Sequence, residues 1–222
     1  MAQAMIGPGI GMTSQRARVR MIERLKGQGI QDPRVLKAMA EVPRHPFLEE
    51  GIQQRAYDET PLPIGQGQTI SSPYTVALSC ELLCRDRQLE RVLEVGGGCG
   101  YQAAVLSRLS REVLSLERIA KLIGRARQTL RELRINNVRM KNVDGTEGYP
   151  AGAPYDAIVV AAAMPYIPDT LKRQLKPGGR LVAPVGAGET QRLILVEAMT
   201  EGGFSEKELE TVKFVPLLSG VT

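Results

Sequence analysis

The segment Glu94-Val95-Gly96-Gly97-Gly98-Cys99-Gly100-Tyr101 sets glycines at positions 96, 98 and 100 and a carboxylate two residues before the first of them. The β-branched run before it and the helical pattern after it put this loop at the end of a strand, where parallel sheets bind ligands. The dinucleotide fingerprint needs a third glycine where Tyr101 stands, so the match to a pyrophosphate loop is poor. A carboxylate facing the loop repels a diphosphate and suits a ligand carrying a cationic ammonium or sulfonium group. S-adenosylmethionine carries both. Glu117 ends the next strand 21 residues after Gly96, the spacing at which an acid takes ribose hydroxyls. Asp144-Gly145 follows the third strand, where a carboxylate can accept from an adenine amino group. Each acid alone is commonly a surface residue; three at successive strand ends, one beside a glycine loop, point to S-adenosylmethionine.

A second chemical segment runs from Tyr57 to Tyr74 and reads as a long loop, a length that usually marks function. Ser72 is placed to cap a helix that has Pro73 at its first position and continues from Tyr74 to Cys84. Thr69 and Ser71 then lie beside a helix N-terminus, a natural anion site. The plainer alternative is a capped helix with incidental hydroxyls, and the residues alone leave both open.

The elements that must position these groups follow from periodicity. Two helices come first, Gln15 to Lys26 and Asp32 to Ala40, the latter capped by Asp32. From Arg91 onward, β-branched runs at Val92 to Val95, Val113 to Glu117, Val138 to Val143, Ala157 to Val160, Arg180 to Pro184, Leu193 to Glu197 and Phe214 to Leu217 alternate with amphipathic helices. Those helices lie around Gln102 to Leu109, Ile119 to Leu133 and Asp169 to Leu175. The rhythm predicts an α/β fold: a doubly wound, mostly parallel, seven-stranded Rossmann-like sheet. Only Ser205 to Leu209 looks helical between the last two strands, too little for a crossover, so these are expected to form an antiparallel edge hairpin. Residues 1–90 read as a leader, helices and acceptor loop packed on the sheet, and residues 91–222 as the cofactor-binding domain, one compact unit together.

Composition narrows the class. With 222 residues, 43% hydrophobic and 24% charged, the chain has the make-up of a soluble globular protein with an ample core. The longest apolar run, Ala157 to Met164, is eight residues, far below the roughly eighteen that span a bilayer. Met1 to Met12 lacks the basic and apolar regions of a secretion signal and reads as a mobile leader, which predicts a cytoplasmic protein. Cys80, Cys84, Cys99 and the single His45 are too few for a zinc cage, so no metal is expected. The net charge of +5 gathers at Arg16, Arg18, Arg20 and Arg24 and at Arg125, Arg127, Arg131 and Arg134, at helical spacing, which solvated helix faces explain without nucleic acid.

The segments Val42 to Phe47, Pro61 to Pro73, Leu93 to Ala104, Asp144-Gly145, Leu175 to Gly186 and Phe214 to Leu217 together resemble the protein-L-isoaspartate O-methyltransferases, over about Met12 to Leu218. Pro-Leu-Pro-Ile-Gly-x-Gly-Gln-Thr-Ile-Ser is the most specific of them. The resemblance implies a class I methyltransferase fold and an enzyme that methylates the free α-carboxylate of L-isoaspartyl residues, beginning repair of damaged proteins through a succinimide. It implies Ser71 as the active-site serine. Thr69, Ile70, Glu94, Gly96, Gly98, Gly100, Glu117, Asp144 and Gly145 would serve the cofactor, with Gln191 a weaker carry-over, and S-adenosylmethionine would leave as S-adenosylhomocysteine. The expected partners are isoaspartyl proteins and peptides, with no nucleic acid, no membrane and no second subunit. The chain departs from the family's usual Gly-Thr-Gly-Ser-Gly at Gly97 and Cys99, and carries Gln66 and Ala161 where His and Thr are common. The hydroxyls absent at 97, 99 and 161 are expected to weaken cofactor affinity.

Such a reaction needs little acid-base machinery, since a carboxylate is already ionised at pH 7 and a methyl sulfonium is already electrophilic. Two rivals remain at this stage. An amine methyltransferase acting on nucleic acid usually places Asn or Asp, two prolines and an aromatic after the fourth strand, where this chain has Ala162-Ala163-Met164-Pro165-Tyr166. A non-catalytic S-adenosylmethionine-binding module would not need the acceptor segment.

Overall fold

The computed structural model of the chain describes residues 12–85 and 87–222. The leader reading of Met1 to Met12 falls outside them except at Met12, where the first helix begins. That helix, α1 (Met12–Gly27), is followed by α2 (Pro33–Glu41), whose cap Asp32 accepts from the Arg34 N–H. A small hairpin, β1 (Leu62–Gly65) and β2 (Gln68–Ile70), leads into α3 (Pro73–Cys84).

The main sheet holds seven strands: β3 (Leu89–Val95), β4 (Ser110–Glu117), β5 (Val138–Asn142), β6 (Tyr155–Val160), β7 (Leu175–Val185), β8 (Gln191–Ala198) and β9 (Phe204–Val212). Their order is β5-β4-β3-β6-β7-β8-β9, parallel through β7 and antiparallel beyond it. Helices α4 (Tyr101–Leu106), α5 (Ala120–Glu132) and α6 (Asp169–Lys172) make the crossovers. The last four residues of β3 and of β6 are buried, as expected of central strands covered on both faces. One apolar cluster runs from Met21 in α1 through Cys80, Val92 and Ile123 to Val212. A second, including Leu93, Leu116, Ile158 and Leu181, fills the other face. From β3 the chain moves outward to β4 on one side and later returns to β6 on the other, so a crevice opens beyond the carboxyl ends of these strands. Among the described residues no helix is long and apolar enough to cross a membrane.

Three expectations are corrected. Ser205 to Leu209 is not helical but lies within β9, because ladder bonds to β8 outweigh the helix preference of its Glu and Lys residues. The charges serve the strand instead: Glu208 pairs with Arg192 of β8 and Glu206 with Lys172, and a charged edge resists pairing with another chain. Phe214 to Leu217 is therefore not the seventh strand. It crosses the crevice as a strap, with the Ala163 N–H donating to Val215 O at 2.7 Å and the Leu217 N–H to Ala163 O at 2.7 Å. Finally, the stretch from Tyr57 to Tyr74 is not all loop. Gly65 pairs with Gln68, and the two residues between them have φ of 55° at Gln66 and 70° at Gly67, the left-handed pair that closes a tight hairpin. This hairpin delivers Thr69 and Ile70 to the crevice.

Replacing Gly67 by Ala should lower stability by about 1–2 kcal/mol, since a Cβ is disfavoured at that φ although nothing lies within 4 Å to clash with it. Urea unfolding with an unchanged midpoint would show that the hairpin turn is not held in this conformation.

Candidate active site

The glycine loop is built by hydrogen bonds to the end of β4. The Gly96 and Gly97 N–H groups both donate to Leu116 O at 2.9 Å, and the Gly100 N–H donates to Gly97 O at 2.8 Å. Gly96, Gly98 and Gly100 have φ of 86°, 52° and 86°, which is why glycine alternates here. Glu117 fastens the turn: one carboxylate oxygen accepts from the Gly98 N–H and the other from the Ile119 N–H, each at 2.8 Å. Its carboxylate is buried, yet Glu117 still lines the cavity beside Gly96, Gly145 and Ala161. A carboxylate has spare lone pairs beyond these two bonds, so a ligand hydroxyl can share it.

Glu94 lies in the adjoining cavity and is fully buried. It accepts from Ser115 Oγ at 2.6 Å and from Gln102 Nε2 at 3.2 Å. Burial pushes its carboxyl up to about 7, the Glu117 charge adding to the shift and the two hydrogen bonds opposing it. Ser115 also explains Gly97: a Cβ there would overlap Ser115 Oγ and stand 3.0 Å from Met140 Cε. The space that a larger residue would fill at position 97 is taken by a hydroxyl from the neighbouring strand.

The acceptor segment meets this wall. Thr69, Ile70 and Ser71 line the same cavity as Glu94, Gly96, Gly98 and Cys99. Ser71 is half-buried, and among the described residues no hydrogen bond engages its hydroxyl. The start of α3 behaves differently from the anion site that the sequence suggested. The Tyr74 N–H is taken by the Glu59 carboxylate at 2.9 Å and the Thr75 N–H by Ser72 Oγ at 3.2 Å, while the Val76 N–H bonds Ser72 O. The capping of Ser72 is as expected, but the helix terminus holds an internal carboxylate.

Asp144, between the lining residues Val143 and Gly145, and Gln191 are not themselves among the residues that line the cavity. Asp144 accepts from Thr146 N–H and Oγ1 and from the Gly220 N–H at 2.6 Å, and these bonds hold its carboxyl below its ordinary value. Gln191 is buried, donates to Gly188 O and accepts from the Phe214 N–H at 2.8 Å, anchoring the start of the strap. Sequence reasoning missed Ser115 and Gln102, which serve Glu94, and the strap residues Val215 to Leu218, which wall the cavity. The signal for the strap was its Phe-Val-Pro-Leu motif, misread as a strand. Among the described residues no cluster of His, Cys, Asp or Glu could hold a metal ion.

A family model described as protein-L-isoaspartate(D-aspartate) O-methyltransferase matches residues 16–222. The chain belongs to this family. It is 58% identical over 206 residues to the protein-L-isoaspartate O-methyltransferase of Azoarcus sp. (strain BH72), covering 92% of this chain and 94% of that one. Against the Dechloromonas aromatica (strain RCB) protein of the same name, identity is 55% over 213 residues, covering 96% and 98%. A candidate protein-L-isoaspartate O-methyltransferase from Plasmodium falciparum, solved in complex with S-adenosyl-L-homocysteine, superposes with a TM-score of 0.79 at 27% identity, over 90% of this chain and 98% of that one. The sheet, its antiparallel edge and the N-terminal helices are those of class I methyltransferases in this family.

The Glu94 carboxyl makes stability depend on pH. An acid whose folded value is raised from 4.5 to about 7 stabilises the fold while protonated, and that contribution is lost as pH rises between those values. Glu94→Gln should therefore gain stability relative to the parent between pH 5 and pH 8. A difference in urea midpoint that stays constant over this range would show that Glu94 is already ionised at pH 5.

Proposed function

We propose that the chain transfers a methyl group from S-adenosylmethionine to the free α-carboxylate of L-isoaspartyl residues in damaged proteins and peptides, starting their repair through a succinimide. The observation that carries this reading is the meeting of Ser71 with the glycine loop and Glu94 around one cavity. The residues fit the donor. Gly145 lines the cavity and packs so closely on the sheet that a Cβ would come within 2.8 Å of Val95 Cγ1, the loop glycines allow close approach, and two buried acids suit a cationic ligand. When bound, S-adenosylmethionine supplies an electrophilic methyl on a sulfonium.

In this reading residues 1–90 supply the acceptor side and residues 91–222 the donor side. Glu94 would hold the ligand's cationic end and Glu117 its ribose hydroxyls while still holding the loop. Gly96, Gly98, Gly100 and Gly145 permit contact, and Thr69 and Ile70 form the wall between donor and acceptor. Asp144 and Gln191 act at one remove, by tying Gly220 and Phe214 across the crevice. Ser71, with its unengaged hydroxyl, orients one acceptor oxygen. No base is required, and the single histidine is elsewhere, its Nδ1 3.0 Å from the Tyr57 hydroxyl. Catalysis then rests on alignment and on water exclusion at the carboxylate. We place the protein in the cytoplasm as a monomer, with protein and peptide substrates and no nucleic acid.

The acceptor test uses two peptides that differ only in L-isoaspartate against aspartate. The isoaspartyl carboxylate sits on the α-carbon, one methylene nearer the backbone, so a site that grips the backbone aligns one and misplaces the other; a shift of roughly 1 Å can cost on the order of a hundredfold. Methyl-labelled donor should label the isoaspartyl peptide, and mild base should release the label as methanol when the following amide nitrogen closes the succinimide. Equal labelling, or label stable to base, refutes the assignment. Ser71→Ala should lower turnover about tenfold or more, equivalent to about 1.4 kcal/mol, without matching loss of donor affinity. Glu117→Ala should weaken S-adenosylhomocysteine binding by about 1–3 kcal/mol, because it also frees the Gly98 and Ile119 N–H groups; calorimetry with unchanged affinity would remove Glu117 from the donor site.

A further inference from the structure

Arg44 is the feature that the site description leaves unexplained. It is fully buried just before a short 3-10 turn at His45–Phe47. Its guanidinium Nη2 donates to the main-chain carbonyl of Ser71 at 2.5 Å. The guanidinium carbon stands 4.7 Å from the centroid of the Tyr101 ring, the first residue of α4 after the glycine loop. Tyr101 is itself buried and braced edge-on by Phe47 at 5.5 Å. Among the described residues Nε and Nη1 find no hydrogen-bond partner, and no carboxylate lies within ion-pair distance. Glu59, whose charge acts on it from a distance, is engaged with the Tyr74 N–H and with Arg24.

A buried guanidinium without a counter-charge is unfavourable unless it serves something. What it touches is the backbone of Ser71 on one side and the ring that follows the glycine loop on the other. We infer that Arg44 is a positioning residue for methyl transfer: it clamps the Ser71 carbonyl against the Tyr101 platform and so fixes the Ser71 hydroxyl relative to the donor loop. The inference rests on the reading of Ser71 as the residue that orients the acceptor. It also supplies what α3 does not. With the first N–H groups of that helix already taken, the orientation of Ser71 cannot come from an open helix terminus. The planar fork of arginine holds a carbonyl and lies over a ring at once, which a lysine ammonium does only in part.

The test compares the parent, Arg44→Met, Arg44→Lys, Ser71→Ala and the double variant Arg44→Met/Ser71→Ala. Each is measured for thermal midpoint, S-adenosylhomocysteine affinity by calorimetry, and kcat and KM with an isoaspartyl peptide. Arg44→Met should lower kcat about tenfold or more with donor affinity within about twofold of the parent, and Arg44→Lys should recover part of the loss. In the Ser71→Ala background the same change should cost about twofold or less, since the group it positions is gone. Losses that multiply in the double variant overturn the inference, as does a fall in donor affinity parallel to kcat. If Arg44→Met does not fold, Arg44→Lys with and without Ser71→Ala carries the same comparison. A parent enzyme inactive on the isoaspartyl peptide defeats the acceptor reading, and with it this inference; an active parent with an indifferent Arg44→Met defeats the inference alone.

Discussion

The site depends on the carboxylate of Glu117. Its two oxygens hold the N–H groups of Gly98 and Ile119, so one side chain at the end of β4 joins the glycine loop after β3 to the start of α5. Both segments follow adjacent parallel strands, and Glu117 adds a side-chain joint to the one that the Leu116 carbonyl makes with Gly96 and Gly97. The positive φ values at Gly96, Gly98 and Gly100 follow from the same constraint, because the loop must turn back sharply enough for Gly96 and Gly97 to share the Leu116 carbonyl. The crevice wall is thus backbone held by a buried acid, and close approach of a ligand is available before any ligand arrives.

A second buried acid sharpens the electrostatics. Burial raises the Glu94 carboxyl, the nearby Glu117 charge adds to that, and the hydrogen bonds from Ser115 and Gln102 oppose it. A cationic ligand beside Glu94 would favour its ionised form, which is the electrostatic preference that the proposed donor would meet. The hydroxyl of Ser115 fills the space over Gly97 and bonds Glu94, so the loss of a hydroxyl at position 97 does not leave the acid unsupported.

How much of this could be read from the sequence varied with the source of each constraint. The central strands and the glycine loop were legible because local pattern and tertiary role agree there: apolar runs are buried on both faces, and glycines stand where φ is positive, whereas the bonds of Glu117 to the Gly98 and Ile119 N–H groups were not readable from its place at a strand end. β9 was hidden because Ser205 to Leu209 has helix-favouring residues, and only its ladder to β8 makes it a strand. The β1–β2 hairpin was hidden by its prolines and glycines, which read as loop although Gln66-Gly67 is a turn. Asp144 and Gln191 were seen as residues that matter, but their side chains tie down Gly220 and Phe214, partners 76 and 23 residues away that no local pattern announces. Arg44 was visible only as one letter of the Val42 to Phe47 segment that carries the resemblance, and its role could not be read, since its contacts are with Ser71 and Tyr101, both distant in sequence.

The placement of that guanidinium fits the charge changes in the proposed reaction. A sulfonium and a carboxylate approach as opposite charges and part as neutral products, so charge is dispersed in the transition state. An arginine bonded directly to the acceptor would stabilise the separated carboxylate more than the transition state and would slow the step. Arg44 instead meets the Ser71 carbonyl, and in the proposed reaction a neutral hydroxyl would be left to face the acceptor. The same logic applies to Glu59, which occupies the helix terminus that could otherwise have bound the substrate anion as an unproductive salt. Alignment is thereby separated from charge stabilisation: the cation fixes geometry through the backbone, the helix dipole is answered internally, and the reacting carboxylate is left weakly held and free to react.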